Sequence, residues 1–138
     1  MKGFRKASLV FACMMLLLGT GFYVSLADSH HAYTFTFNNR GKGVTTTSVY
    51  KGATSTTAGV IISYSTAPQY MTTYCVQRSD TSAVITGTAE VQNTKWQGER
   101  MEYKSGYSTK RLNVRLYGIA SSLTAPSGIR VSGQWTAV

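Results

Sequence analysis

Tyr33-Thr34-Phe35-Thr36-Phe37 decides the fold. Aromatic side chains take every second position and threonines the positions between. A helix would spread those rings around its circumference. An extended chain puts all three on one side and both hydroxyls on the other. Threonine and aromatic residues also suit a pleated, half-buried surface. The stretch reads as a strand with one face in a core.

The same period recurs along the chain. In residues 111–117, Leu112, Val114 and Leu116 fall on an inner face, and Arg111, Asn113, Arg115 and Tyr117 on an outer one. Residues 38–43 hold two asparagines and two glycines, the types that accept a left-handed turn, and residues 44–50 read as a second strand. Residues 51–59 read as a Ser/Thr/Ala/Gly loop. Residues 60–64 are the most apolar strand. In residues 70–77, Tyr70, Thr72, Tyr74 and Val76 share one face and Met71, Thr73 and Cys75 the other; the pattern leaves open which is inside. Residues 83–91 and 129–135 complete the strands. Between them, residues 92–108 are polar, with Trp96, Tyr103 and Tyr107 as expected anchors.

Past residue 27 no segment repeats apolar residues at helical spacing. Short strands with turn signals every 8–12 residues or so predict an all-β fold, a single antiparallel β-sandwich or small barrel. A signal helix precedes it. Lys2, Arg5 and Lys6 form a basic start, residues 7–26 carry no charge, and Ser25-Leu26-Ala27 places small residues at −3 and −1 of a cleavage site. Residues 1–27 are therefore read as a signal peptide and residues 28–138 as one secreted domain. Retention as a membrane anchor by an uncleaved signal is the alternative, because a run of about 20 residues spans a bilayer. Cys13 lies in the middle of the apolar run, which argues against a lipidated terminus.

The mature chain keeps one cysteine, Cys75, so no intramolecular disulfide is available and packing must hold the fold. A small buried hydrophobe is its expected role, with an intermolecular bridge as the alternative. Losing Lys2, Arg5 and Lys6 leaves eleven of the 14 basic residues against five acids, a net charge of +6. That balance suits anionic partners and also simply keeps a small protein soluble.

The chain is poor in catalytic groups. Outside the signal its histidines are His30 and His31, both close to the expected new terminus. A histidine base must be held in order beside its nucleophile, and chain ends fray. Glu99 and Glu102 are oddly spaced, which sends them to opposite strand faces rather than setting them as a facing pair. No clustered metal ligands and no phosphate-cradling loop appear. An enzyme is not expected, nor a cofactor.

Cleavage after Ala27 would expose Asp28-Ser29-His30. A free amine, two backbone amides and a third-position imidazole present four nitrogens in a plane, which suits Cu(II). Any third-position histidine creates this chemistry, and a plain spacer is the alternative. The second candidate is cationic: Lys110 and Arg111 at the start of the late strand, with Arg115 and Tyr117 on its outer face. Arg40, Lys42 and Lys104 are the other turn and flanking cations. Cations interleaved with an aromatic could hold an anionic polymer by charge and stacking. The alternative is a solvated strand edge whose charges discourage aggregation.

Three motifs carry a resemblance. Tyr33-x-Phe-x-Phe37, Lys110-Arg-x-x-Val-Arg-Leu116 and Val131-Ser-Gly-x-Trp135 resemble small secreted Gram-positive proteins grouped only as a domain of unknown function. The resemblance implies export and a β fold, and brings no catalytic residues. The chain is more distantly similar to lactococcin-972-type bacteriocins, which are also exported, cationic and β-rich, though shorter and with histidine in their interior. The expected protein is thus a secreted, non-enzymatic domain, free or wall-associated. Its expected partner is an anionic cell-surface polymer or another secreted protein, not a specific nucleic acid. A bacteriocin-like competition factor is the second reading and an enzyme the third.

Overall fold

The computed structural model describes residues 30–38, 41–52, 55–122 and 125–137. The expected signal helix, residues 1–27, lies outside the described residues, as do Asp28, Ser29 and Arg40. Among the described residues there are nine strands and no helix. They are β1 (His30–Phe37), β2 (Val44–Thr45), β3 (Val49–Lys51), β4 (Thr57–Ser65), β5 (Met71–Arg78), β6 (Ala89–Gln92), β7 (Gly98–Glu102), β8 (Leu112–Ala120) and β9 (Ile129–Thr136).

All pairings are antiparallel. One sheet runs β1-β9-β4-β7; the other runs β2-β8-β5-β6, with β3 also on β8. The two sheets pack face to face, so the sandwich is the observed form of the expected all-β fold. At one side the sheets are stitched together. An isolated bridge joins Thr86 to Tyr103, Gly87 N–H donates to Glu102 O, and Lys104 N–H donates to Ile85 O.

Alternation places the core. Tyr33, Phe35 and Phe37 point inward from β1, Val114 and Leu116 from β8, and Ile129, Val131 and Trp135 from β9. Phe35 of one sheet reaches Gly118 of the other, where an added Cβ would sit 2.6 Å from the ring. A glycine there leaves room for the ring. On β5 the inner face is Thr72, Tyr74 and Val76, which settles the face that the sequence pattern leaves open.

Residues 83–91, read as one strand, form β6 only from Ala89, with Val84 and Thr86 in isolated bridges. Three further boundaries differ from expectation. Residues 44–50 form two strands instead of one. Thr45 pairs with Tyr117 and Val49 with Val114, so the three residues between the pairs on one side face two on the other, a bulge. Thr46 bridges it: its N–H donates to Leu116 O, and its hydroxyl accepts from Leu116 N–H. Lys51, read as loop, ends β3 and is fully buried. Its ammonium donates to Ser108 O at 2.8 Å and Lys110 O at 3.2 Å, and lies 4.8 Å from the Tyr103 ring centroid. Those partners offset the cost of burying a charge.

The third difference is the polar stretch 92–108, which contains β7. Tyr103 anchors it as expected, its hydroxyl donating to Ala137 O at 2.6 Å, and Tyr107 packs half-buried on the core. Trp96 does not anchor it, being 65 % exposed.

Candidate functional site

The expected cationic site gathers where the chain enters β8. Residues 105–109 form turns, and Lys110 N–H donates back to Tyr107 O. The Lys110 ammonium lies 4.8 Å from the Tyr107 ring centroid, a cation–π contact. Arg111 follows, exposed, one residue before the ladder begins at Leu112. It therefore sits at the mouth of the strand, one residue outside the ladder that the sequence reading began at Arg111.

Arg115 is on the outer face and half-buried. Its guanidinium donates to Ser82 Oγ at 2.6 Å, and its Nε is buried without a protein hydrogen-bond partner. Ser82 is presented by a left-handed turn at φ 60°. Arg115 is thus held against the 78–82 turn and displays less charge to solvent than the sequence pattern suggests. Tyr117 is also half-buried. Its ring lies on Gly43, where a Cβ would come within 2.0 Å of the ring. That close approach explains why glycine stands at position 43.

Across the ladder, Arg115 pairs with Gln77 and Tyr117 with Cys75. Cys75 is buried, as expected of a small hydrophobe. Burial pushes its thiol up, and the positive charge of Lys104 partly counters this. Lys104 is exposed, its ammonium on Val84 O at 3.0 Å. Arg78 is neutralised by Asp80, with Nε donating to Oδ1 at 2.9 Å. That hydrogen bond holds the Asp80 carboxyl below its usual range. Lys110, Arg111 and Arg115 make no ion pair among the described residues.

The terminal copper candidate is only partly in view. His30 opens β1 opposite Thr136, and His31 pairs with Trp135, the two rings 5.7 Å apart. Both histidines are therefore in a paired strand rather than on a loose end. The four-nitrogen square would take the His30 backbone nitrogen as a ligand, so it would draw on the backbone of a paired residue. Among the described residues no three His, Cys, Asp or Glu side chains come together as a metal set.

A second surface has no counterpart in the sequence reading. The outer face of the β1-β9-β4-β7 sheet carries a groove of about 450 Å³ beside Trp96, lined by Thr34, Ile61, Ser63, Ser132 and Gln134. Trp96 has φ 68°, a conformation rare for a bulky residue. Nothing in the one-dimensional pattern marks this, since turn chemistry signals left-handed positions by Gly, Asn or Asp.

The fold and its surfaces define an antiparallel β-sandwich with a cationic strand mouth and a separate uncharged groove. No protein-family model, curated protein or solved structure matches the chain.

Proposed function

We propose that the protein is an exported, non-enzymatic β-sandwich that attaches to anionic cell-surface polymer at the mouth of β8. One observation carries this reading: Lys110 and Arg111 stand exposed on adjoining residues and make no ion pair among the described residues. Arg115, Tyr117 and Lys104 extend the site as flanking groups. A polymer held by such contacts is gripped by many weak charges, so attachment is broad in specificity and strongly screened.

Sedimentation with isolated cell wall tests it. The protein should pellet with wall at low salt and be released in 1 M NaCl, where the Debye length falls to about 3 Å. Lys110→Gln/Arg111→Gln should lose attachment while keeping the wild-type Tm, because both side chains lie outside the core. Arg115→Gln should weaken it less, since that guanidinium is already engaged by Ser82. Wild-type sedimentation of the double variant would reduce these cations to a solvated edge.

A further inference from the structure

We propose that the outer face of the β1-β9-β4-β7 sheet binds a neutral saccharide, with one sugar ring stacked on Trp96 and its hydroxyls met by the small polar side chains of the groove. This site lies apart from the mouth of β8 and does not depend on it.

The indole is presented by a left-handed backbone that hydrogen bonds hold in place. A left-handed φ is costly for a bulky side chain and persists only where surrounding structure enforces it. Here Trp96 N–H donates to Ile62 O at 2.7 Å, Ile62 N–H to Gln97 O at 2.8 Å, and Gln97 N–H to Thr94 O at 3.2 Å. These bonds clamp the turn onto β4 at the place where that strand's register slips, between Ile62 and Tyr64. The result is a large ring left 65 % exposed, where burial would ordinarily stabilise it. Lys95 lies over the ring at 5.1 Å from the centroid, and the high exposure leaves the remainder open.

The chemistry of the groove selects the ligand class. Every lining side chain is uncharged. Thr34 and Ser132 share a hydroxyl–hydroxyl bond of 2.9 Å, and the Ser63 hydroxyl donates to Ser132 O at 3.2 Å. Hydroxyls both donate and accept, and the Gln134 amide does the same, which matches the alternating demands of sugar hydroxyls. Gly133 and Ala32 keep the floor low between them. A pyranose offers the complement: an apolar C–H face for the ring and a rim of hydroxyls for the polar groups. The cation beside the groove is Lys95, already held over the indole, and the floor itself offers an anionic polymer none, while an apolar peptide would leave the hydroxyls unmatched.

Titration calorimetry and tryptophan fluorescence test the proposal with a panel of neutral hexasaccharides: hexa-N-acetylchitohexaose, cellohexaose, maltohexaose and mannohexaose. At least one should bind saturably with a shift in Trp96 emission, equally at 0.1 and 1 M NaCl. Trp96→Gly removes the ring and also relieves the left-handed strain, so Tm should hold or rise while affinity falls about ten-fold or more. Trp96→Tyr should retain part of the binding, and Gln134→Ala should weaken it with the fold intact. Lys110→Gln/Arg111→Gln should bind the sugar like the wild type, which separates this site from wall attachment. Saturable binding by no member of the panel would overturn the proposal. So would unchanged affinity in Trp96→Gly, or an emission shift that follows protein concentration without sugar, the mark of self-association.

Discussion

The hydroxyls of Tyr33 and Tyr74 meet 3.0 Å apart between the two sheets, with their rings edge to face at a centroid separation of 5.8 Å. Tyr33 comes from β1 and Tyr74 from β5, forty-one positions along the chain. Both residues are buried, so their hydroxyls take from the protein partners that water would otherwise supply, Tyr33 from Tyr74 and Tyr74 from both Tyr33 and Thr72. This contact pins one sheet to the other at a defined place in the core.

Removing one hydroxyl should therefore cost more than removing both in proportion. Tyr33→Phe or Tyr74→Phe alone strands a buried polar group, at about 1–3 kcal/mol. The double variant strands neither against the other, so its loss should fall short of the sum by about 0.5 kcal/mol or more. Urea unfolding of the four proteins gives the coupling directly. Strict additivity would mean that the two hydroxyls act independently.

Stability should fall at alkaline pH. Burial pushes up the pKa of Tyr33 and Tyr103, and raises Tyr74 to about 12. A phenol whose folded pKa lies above its unfolded value contributes stability that is full below about pH 10 and is lost as pH rises through the folded value. Each such tyrosine removes about 1.4 kcal/mol per pH unit within its window. Lys51 acts in the opposite sense, because burial lowers its pKa and the unfolded chain then holds the extra proton. Three tyrosines outweigh one lysine. Tm should stay level from neutral pH to about pH 9 and drop beyond about pH 10, with a shallower drop in Tyr103→Phe. A Tm that holds level well above pH 10 would contradict the burial of these phenols.

Lys51 should prove structural despite its charge. Its ammonium ties β3 to the carbonyls of Ser108 and Lys110, on the segment that leads into β8. Lys51→Met keeps most of the volume but removes the ammonium from both carbonyls, leaving Ser108 O with the Ser55 N–H alone, at about 1–3 kcal/mol. Amide exchange should quicken first in residues 105–110, because that turn loses its tether while the sheets remain. Uniform exchange across the domain would show that Lys51 supports the whole core rather than the loop.

Cys75 should label slowly with thiol reagents in the native protein and rapidly in denaturant. Burial both blocks access and disfavours the thiolate that reacts. Fast native labelling, or a dimer seen without reductant and lost in Cys75→Ser, would place the thiol at the surface.

What the sequence determined by itself was local. Alternation in Tyr33-Thr34-Phe35-Thr36-Phe37 and in residues 112–116 is enough to name strands and their inner faces, because a period of two has only one geometric reading. Cys75, the one cysteine past residue 27, likewise leaves no disulfide available within residues 28–138 on composition alone. Only the tertiary structure decided which face of β5 is inside, since Tyr74 and Cys75 are both plausible core residues and both are buried, one between the sheets and one beneath Tyr117's side of the ladder. It also decided the fate of the charges. Lys51 is buried because carbonyls 57 and 59 positions away converge on its ammonium, and Arg115 is held because a distant turn brings up Ser82. Trp96 went the other way, from expected anchor to exposed ring, through hydrogen bonds to Ile62 on another strand. Period and composition describe a residue's own stretch of chain; burial and display depend on partners that only folding brings within reach.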